Sequence, residues 1–369
     1  MSPAIVTETL YALVKEHDFV PDEVHVITTL EGRDRIQAAL LDAEAGHFPA
    51  FLRDHLPSGR SIRFDDGTIH LIGQDEHGQG TALADIQDGD DNRQAAHTIY
   101  RVLRQLKTER PTQLHASVAG GRKSMSFYMG QAFSLVAEPG DRLSHVLVNE
   151  PFEGVPDFFY PPPQPRQFTV QRTGQTVSSA DARVQLADLR VIQLGRLLGE
   201  LPPKALTSLD FAIDIAQAAV SAPEVRLVWN KTEEVGQVEM LGEVIALSRQ
   251  KFVMLALHAI ARQELRGPDD DEEAGAFLVE DLPGPVARRL FGEDLKSQKF
   301  TPVSSKIQQD LARQVGPAAA WLRIRAVGAK RKDNERARRL ELDPKHLTLV
   351  NLPVEWKTEL LKSLTKPAN

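Results

Sequence analysis

The chain has 369 residues, 41% of them hydrophobic and 26% charged, with a formal net charge of −7 and no cysteine. That length allows two or three domains with cores of their own, and no run approaches the roughly 18 unbroken apolar residues that span a bilayer. The lack of cysteine excludes disulfides, thiolate catalysis and cysteine-type zinc sites, and the negative balance makes any anion site a local one.

The amino end shows no secretory pattern. Ser2-Pro3 followed by Val6, Leu10, Leu13 and Val14 predicts a capped helix with one apolar face. EVHVITT (residues 23–29) reads as a strand, and a long helical stretch follows to about His55. SIRF and TIHLI, on either side of Asp65-Asp66-Gly67, read as a hairpin-like pair. Residues 91–106 are helical again, with Ala95, Ile99, Val102, Leu103 and Leu106 on one side. Residues 112–118 and 145–148 read as strands with a helix between them. Strands alternating with helices predict an α/β unit with a parallel, doubly wound sheet. Proline-rich FFYPPPQP (residues 158–165) closes it, and QFTVQRTG with a return strand forms a short appendage ending near Leu198.

After Leu201-Pro202-Pro203 the pattern changes, which predicts domains at 1–200 and 201–369. VRLVWNKTEEVGQVEML and GEVIAL read as strands, and RQKFVMLALHAI, SSKIQQDLARQV and AAAWLRIRAVGAKRK as three helices. ARRLELDPKHLTLVNLP reads as a hairpin with Asp343-Pro344 at its turn. Strands, three helices and a closing hairpin predict an α+β, winged-helix-like domain. The acidic loop PDDDEEAG (residues 268–275) reads as solvated linker.

The stretch with chemistry in it is SVAGGRKSMSFYMG (residues 117–130): a strand end, two glycines, two cations and a helix start. In an open parallel sheet, ligands gather beyond the carboxyl ends of the strands. The Ser2-Pro3 turn, Thr28-Thr29, Gly120-Gly121-Arg122-Lys123 and Asn149-Glu150-Pro151-Phe152 all fall there. Two glycines let backbone amides approach an anion, and the helix start adds its positive end. Arg122 can fork onto a phosphate, while Lys123 is a compact cation. The plain alternative is a common turn followed by a solvated Arg-Lys pair. Neither the Walker spacing nor the dinucleotide fingerprint is present, which disfavours ATP hydrolysis and nicotinamide redox chemistry. His115 and His145 lie inside strands and read as structural. No histidine–carboxylate cluster has metal-ligand spacing, so neither metal nor cofactor is expected. Ser117 and Ser124 have no nucleophile-elbow context.

SPAIVTETLYAL, EVHVITT, LHASVAGGRKSMSFYMGQAFSL and DRLSHVLVNEPFEGVPDFFYPPP together resemble the CRISPR-associated NE0113-type family over about residues 1–200. That family is related to the CARF-domain ring nucleases of type III CRISPR systems. The resemblance implies a Rossmann-like CARF domain, a homodimer, and a cyclic oligoadenylate, above all cyclic tetra-adenylate, bound across the two-fold axis. It implies metal-independent cleavage, in which a ribose 2′-hydroxyl attacks the adjacent phosphate and leaves 2′,3′-cyclic phosphate ends. The family's lysine carries over to Lys123, as stabiliser of developing charge, and its first-loop serine to Ser2. Gly120, Gly121 and Arg122 would cradle the backbone of the ring. Thr28, Thr29, Asn149, Glu150 and Phe152 would line the site, Phe152 either stacking an adenine or serving as a buried aromatic. Members begin with an apolar strand before the serine-proline turn, and Met1 stands where that strand would just have ended. The resemblance therefore implies that the first strand of the sheet is missing and that Met1 is internal to the true protein.

The carboxy-terminal half adds Arg323, Arg325, Lys330, Arg331, Lys332, Arg336, Arg338 and Arg339 within a short span. On a winged helix such charge would meet DNA or RNA phosphates; the alternatives are a solvated basic face or a contact to a partner's acidic loop. Arg339 and His346 are too loosely spaced for a HEPN ribonuclease pair, and Pro344 breaks any helix between them. Two functions follow: a cytoplasmic ring nuclease that ends type III CRISPR signalling, or a cyclic-oligoadenylate-gated DNA-binding regulator without turnover. A scaffold whose site has lost function is the third.

Overall fold

The computed structural model describes residues 2–75, 77–108, 113–198, 201–265, 273–279, 282–291, 297–328 and 336–364. The chain is mixed α/β and divides into two compact units, Met1–Leu197 with Thr207–Leu209, and Leu198–Leu206 with Asp210–Asn369.

The first unit runs α1 (Ala4–Glu16), β1 (Val26–Thr28), α2 (Leu30–Ile36), α3 (His47–His55), β2 (Ile69–Leu71), α4 (Gly89–Thr108), β3 (His115–Ser117), α5 (Lys123–Val136), β4 (Arg142–Val148), β5 (Gln167–Thr169), β6 (Thr176–Ser178), β7 (Val184–Asp188) and α6 (Gly195–Leu198). In α1 the buried residues Ala4, Thr7, Leu10, Leu13 and Val14 recur at helical spacing. Ser2 Oγ accepts from the Ala4 amide at 3.3 Å, and Asp18, at φ 49°, turns the chain back toward β1. The start of α4 is fixed by Asp88, whose Oδ1 accepts from the Asp90 and Asp91 amides at 2.9 Å.

The long helix expected up to His55 is broken. Gln37–Leu41 is a π-helical turn, after which Asp42 Oδ1 accepts from the amides of Glu44 at 3.0 Å and Ala45 at 2.7 Å. That local turn competes with helix continuation. SIRF and TIHLI do not form a hairpin. Asp65 Oδ1 accepts from the Gly67 amide at 2.9 Å and caps the 3-10 turn Asp66–Thr68. Both segments instead lie parallel to the stretch that ends in β1: Arg63 bridges Glu23, and β2 pairs with β1 in the register Val26↔Ile69 to Thr28↔Leu71.

β3 pairs parallel with β4, from His115↔Arg142 to Ser117↔Ser144. β7 runs antiparallel to β4, with Val148 opposite Val184, and β5–β6 is a separate antiparallel hairpin. Among the described residues no ladder joins the β2-β1 piece to the β3-β4-β7 piece. A cavity of about 520 Å³ lies between β1 and β3.

The second unit contains α7 (Pro203–Thr207), α8 (Leu209–Val220), β8 (Val225–Asn230), β9 (Val235–Met240), β10 (Glu243–Leu247), α9 (Arg249–Glu264), α10 (Gly284–Phe291), α11 (Ser297–Val315), β11 (Ile324–Ala326), β12 (Arg338–Leu340), β13 (Leu347–Val350) and α12 (Val354–Leu364). β8, β9 and β10 form an antiparallel meander, and β13 adds parallel to β8. α9 is buried without interruption from Phe252 to Ala261, as expected of a helix with neighbours on every side. Trp356 meets Trp229 at a ring separation of 4.9 Å, and Trp229 stacks on Phe252 at 5.7 Å.

The closing hairpin expected around Asp343-Pro344 does not form. The turn itself is present, since Asp343 Oδ1 accepts from the Lys345 amide at 3.0 Å. Its two strands belong to different sheets: β12 pairs with β11, and β13 with β8. The third expected helix is a 3-10 segment, Gly316–Leu322, leading into β11. Residues 268–272 of the acidic loop, and Lys330, Arg331 and Lys332, lie outside the described residues. Among the described residues no helix is long and apolar enough to cross a membrane.

Two predictions follow from the packing of α9. A Cβ on Gly236 would sit 1.8 Å from Phe252 Cγ, so Gly236→Ala should lower unfolding free energy by about 2 kcal/mol or more in denaturant titration. His258 is fully buried and its Nδ1 donates to the Met254 carbonyl at 2.8 Å; burial pushes its pKa down to about 4. The unfolded chain takes that proton first, so this contribution is whole above about pH 6.5 and is lost as pH falls toward 4. His258→Leu should therefore lose less stability between pH 7.5 and 5 than the parent, measured by thermal melts.

Candidate functional site

The loop after β3 is built by backbone conformation. The Val118 amide extends the ladder by donating to the Ser144 carbonyl at 2.9 Å. Gly120 and Gly121 then adopt φ of 84° and 73°, a left-handed pair that side-chain-bearing residues rarely adopt. A Cβ on Gly121 would also meet Met125 Sδ at 2.8 Å. Ser126 Oγ donates to the Val118 carbonyl at 2.7 Å, tying the first turn of α5 to the strand end.

Arg122 is the N-cap of α5, and no side chain caps that helix. Lys123 is its first residue and is exposed; among the described residues it has no ion-pair partner. The loop therefore presents a helix amino end, an exposed ammonium and a guanidinium in sequence. Arg122 is already engaged, with Nη2 2.5 Å from Asp85 Oδ2. The Ile86 amide, and then Arg122, hold the Asp85 carboxyl below the usual carboxylate range. Sequence reasoning missed Asp85, because a carboxylate in a loop before a helix has no distinctive spacing.

Asp85 also links two parts of the expected site. The Leu30 and Glu31 amides donate to the Leu83 and Ala84 carbonyls at 2.9 and 3.4 Å. The strip that holds Arg122 therefore runs beside the carboxyl end of β1. There Thr29 caps α2 by accepting from the Gly32 amide at 3.4 Å. Thr28 is fully buried, and among the described residues its hydroxyl has no hydrogen-bond partner.

On the other side, Ile5 of α1 shares one apolar cluster with Ala119, Val148 and Phe152. Ser2, the glycine loop and residues 149–152 thus converge on the same end of the sheet. Ser2 is exposed. Asn149 is occupied by backbone: its Nδ2 donates to the Glu150 and Asp181 carbonyls at 3.2 Å, and its Oδ1 accepts from Arg183 at 2.6 Å. Glu150 is exposed and precedes a cis peptide to Pro151. Phe152 is 1% exposed and packs on Phe158 at a ring separation of 5.1 Å. Of its two expected roles the buried one is what the structure shows, and the ring has no free face for an adenine. Among the described residues no group of three or more histidine, aspartate or glutamate side chains is arranged to hold a metal ion.

In the second unit Arg325 stands opposite Arg339 on the β11–β12 ribbon, and Ala326 opposite Arg338. Arg323, Arg325 and Arg336 are exposed, and Arg325 pairs with Glu341 at 3.4 Å.

One buried acid beneath the first site was not anticipated. Glu8 of α1 is 7% exposed, and burial, reinforced by Glu153 of the turn after β4, pushes its pKa up to about 7. The folded state keeps this proton where the unfolded state has lost it. Stability is therefore highest below about pH 4.5 for this group and falls as pH rises toward 7. Glu8→Gln should raise stability at pH 8.5 by roughly 2 kcal/mol relative to its effect at pH 5, read from denaturant midpoints at the two pH values.

Comparison with curated proteins gave no match. The model of one family, the CRISPR-associated protein NE0113, matches residues 2–222, which include every residue of the loop and its surroundings. The chain is a member of the CRISPR-associated NE0113 family.

Proposed function

We propose that the first unit is a Rossmann-like CARF domain that binds a cyclic oligoadenylate, cyclic tetra-adenylate first among them, across the two-fold axis of a homodimer, and cleaves it. The observation that carries this reading is the left-handed Gly120-Gly121 pair, opening directly into Arg122 and an exposed Lys123 at an uncapped helix start. Membership of a CRISPR-associated family supports the nucleotide class.

In the reaction a ribose 2′-oxygen attacks the adjacent phosphorus while the bond from phosphorus to the 5′-oxygen breaks. The 2′-hydroxyl proton leaves and the departing 5′-oxygen gains one, giving a 2′,3′-cyclic phosphate and a 5′-hydroxyl. The protein has to hold attacking and leaving oxygens in line and stabilise charge growing on the phosphate oxygens. Lys123 and the amides at the start of α5 meet that second need, and Ser2 positions ribose or phosphate. Gly120 and Gly121 let the ring backbone come close. Arg122 takes a phosphate after release from Asp85, Thr28, Thr29 and Glu150 line the surroundings, and Asn149 acts by shaping the rim. Turnover of the ring would end type III CRISPR signalling in the cytoplasm.

A second reading rests on Arg325 facing Arg339 across β11–β12. Arg323, Arg325 and Arg336 are exposed on and beside that ribbon, a basic surface that fits a winged-helix-like unit on DNA phosphates and a ligand-gated regulator without turnover. Lys330, Arg331 and Lys332 would extend that basic surface.

Incubation of the purified protein with cyclic tetra-adenylate in EDTA should yield linear product with a 2′,3′-cyclic phosphate, followed by mass spectrometry. Lys123→Ala should slow cleavage by about 100-fold or more. An intact ring after long incubation at excess enzyme overturns the nuclease reading; ligand-dependent, steeply salt-sensitive DNA binding would then support the regulator.

A further inference from the structure

The outward side of α5 continues the line that Lys123 begins. Met125, Ala132, Phe133 and Val136 lie on the buried face of this helix, so positions 123 and 127, one turn apart, share the opposite side. Phe127 is 65% exposed there. Among the described residues it is the sole phenylalanine, tyrosine or tryptophan that stands exposed. Its ring adds nothing to the core of the unit, and alanine at such a position would serve the helix better.

The ring is supported as well as exposed. Tyr128 packs edge-on against it, at a ring separation of 5.6 Å and an interplanar angle of 68°. The Tyr128 hydroxyl accepts from Asn92 Nδ2 of α4 at 3.0 Å, so the supporting ring is tied to the neighbouring helix. Side chains of a helix lean toward its amino end, and the patch that residue 127 covers lies over the first turn, beside Lys123. Four residues rise about 6 Å along a helix, and a nucleotide separates its phosphate from its own base by a distance of that order.

We propose that Phe127 is the base platform of the site: an adenine of the bound nucleotide stacks on its exposed face while the adjoining phosphate meets Lys123. The inference rests on the cyclic-oligoadenylate reading, and it gives to α5 the stacking role that the buried Phe152 ring does not fill. Stacking on a phenyl group uses the π-face that every base has, and purines offer the larger face. The platform therefore sets a preference for purine over pyrimidine rings without reading a hydrogen-bond pattern. The cations of the loop, by contrast, attract any chain of linked phosphodiesters alike.

Equilibrium binding by the full chain to two rings without the attacking hydroxyl, 2′-fluoro cyclic tetra-adenylate and 2′-fluoro cyclic tetra-uridylate, tests this. The parent should hold the adenine ring more tightly. Phe127→Ala and Phe127→Leu should weaken that ring by about 10-fold or more and the uridine ring less, with the slope against salt unchanged because no charge is lost. Phe127→Trp, which restores a π-face, should stay within about 3-fold of the parent. Parent-like affinity of Phe127→Ala for the adenine ring, an equal loss for both rings, or a loss in Phe127→Trp as large as in Phe127→Ala overturns the platform and leaves the ring-binding reading standing. So does a lower association state of Phe127→Ala in sedimentation, which would assign the phenyl group to a subunit contact. A parent that binds neither ring overturns both readings.

Discussion

A buried peptide group needs a hydrogen-bond partner, and among the described residues β1 and β3 each have one ladder neighbour. β1 bonds to β2 and β3 bonds to β4, while among the described residues no ladder joins the edges that face each other across the cavity. What keeps the two pieces in one unit is helix packing. α1 presents Leu10 and Val14 to the apolar cluster around β1, and Ala12 to the cluster around β4. The helix that follows Ser2 thus packs against both the β2-β1 and the β3-β4-β7 sheets of the first unit. Placement of the candidate site and packing of those two sheets therefore depend on one helix.

The second unit solves its packing in the opposite manner. Its larger sheet, β10-β9-β8-β13, is continuous, and α9 is enclosed from Phe252 to Ala261. Gly236 exists at its position because the Phe252 ring occupies the space of a side chain. A core of this kind tolerates little change in volume, and its ionisable member, His258, is accommodated by staying neutral. Arg323, Arg325 and Arg336 stand exposed on and beside the β11–β12 ribbon.

Much of this was legible in the sequence for local reasons. The Ser2-Pro3 helix start, the strand before Gly120 and the alternation of strands and helices depend on propensity and spacing, and all three are present. Pairings were less legible. Asp343-Pro344 is a true turn signal, yet a turn does not say whether its flanking strands meet, and β12 and β13 leave for different sheets. Asp65-Asp66-Gly67 has the same ambiguity, resolved by the Asp65 cap toward a 3-10 turn and two parallel partners. Within the site, the two glycines could be read because positive φ is a property of single residues. Phe152 and Asp85 could not: one depends on how Phe158 packs, the other on which loop passes Arg122 in space.

If the loop takes an anion as proposed, the Arg122–Asp85 pair makes its occupancy an exchange of anions rather than a simple addition. A ligand that reaches only Lys123 leaves the pair closed and gains one cation. A ligand whose second phosphate draws Arg122 away gains two cations and releases a carboxylate beside the start of α2. On the proposed function, the loop would discriminate by the number and spacing of charges, counting phosphates before any base is read. Asp85 would set the threshold of that count, one that a chain of linked phosphodiesters would pass where an isolated anion would not.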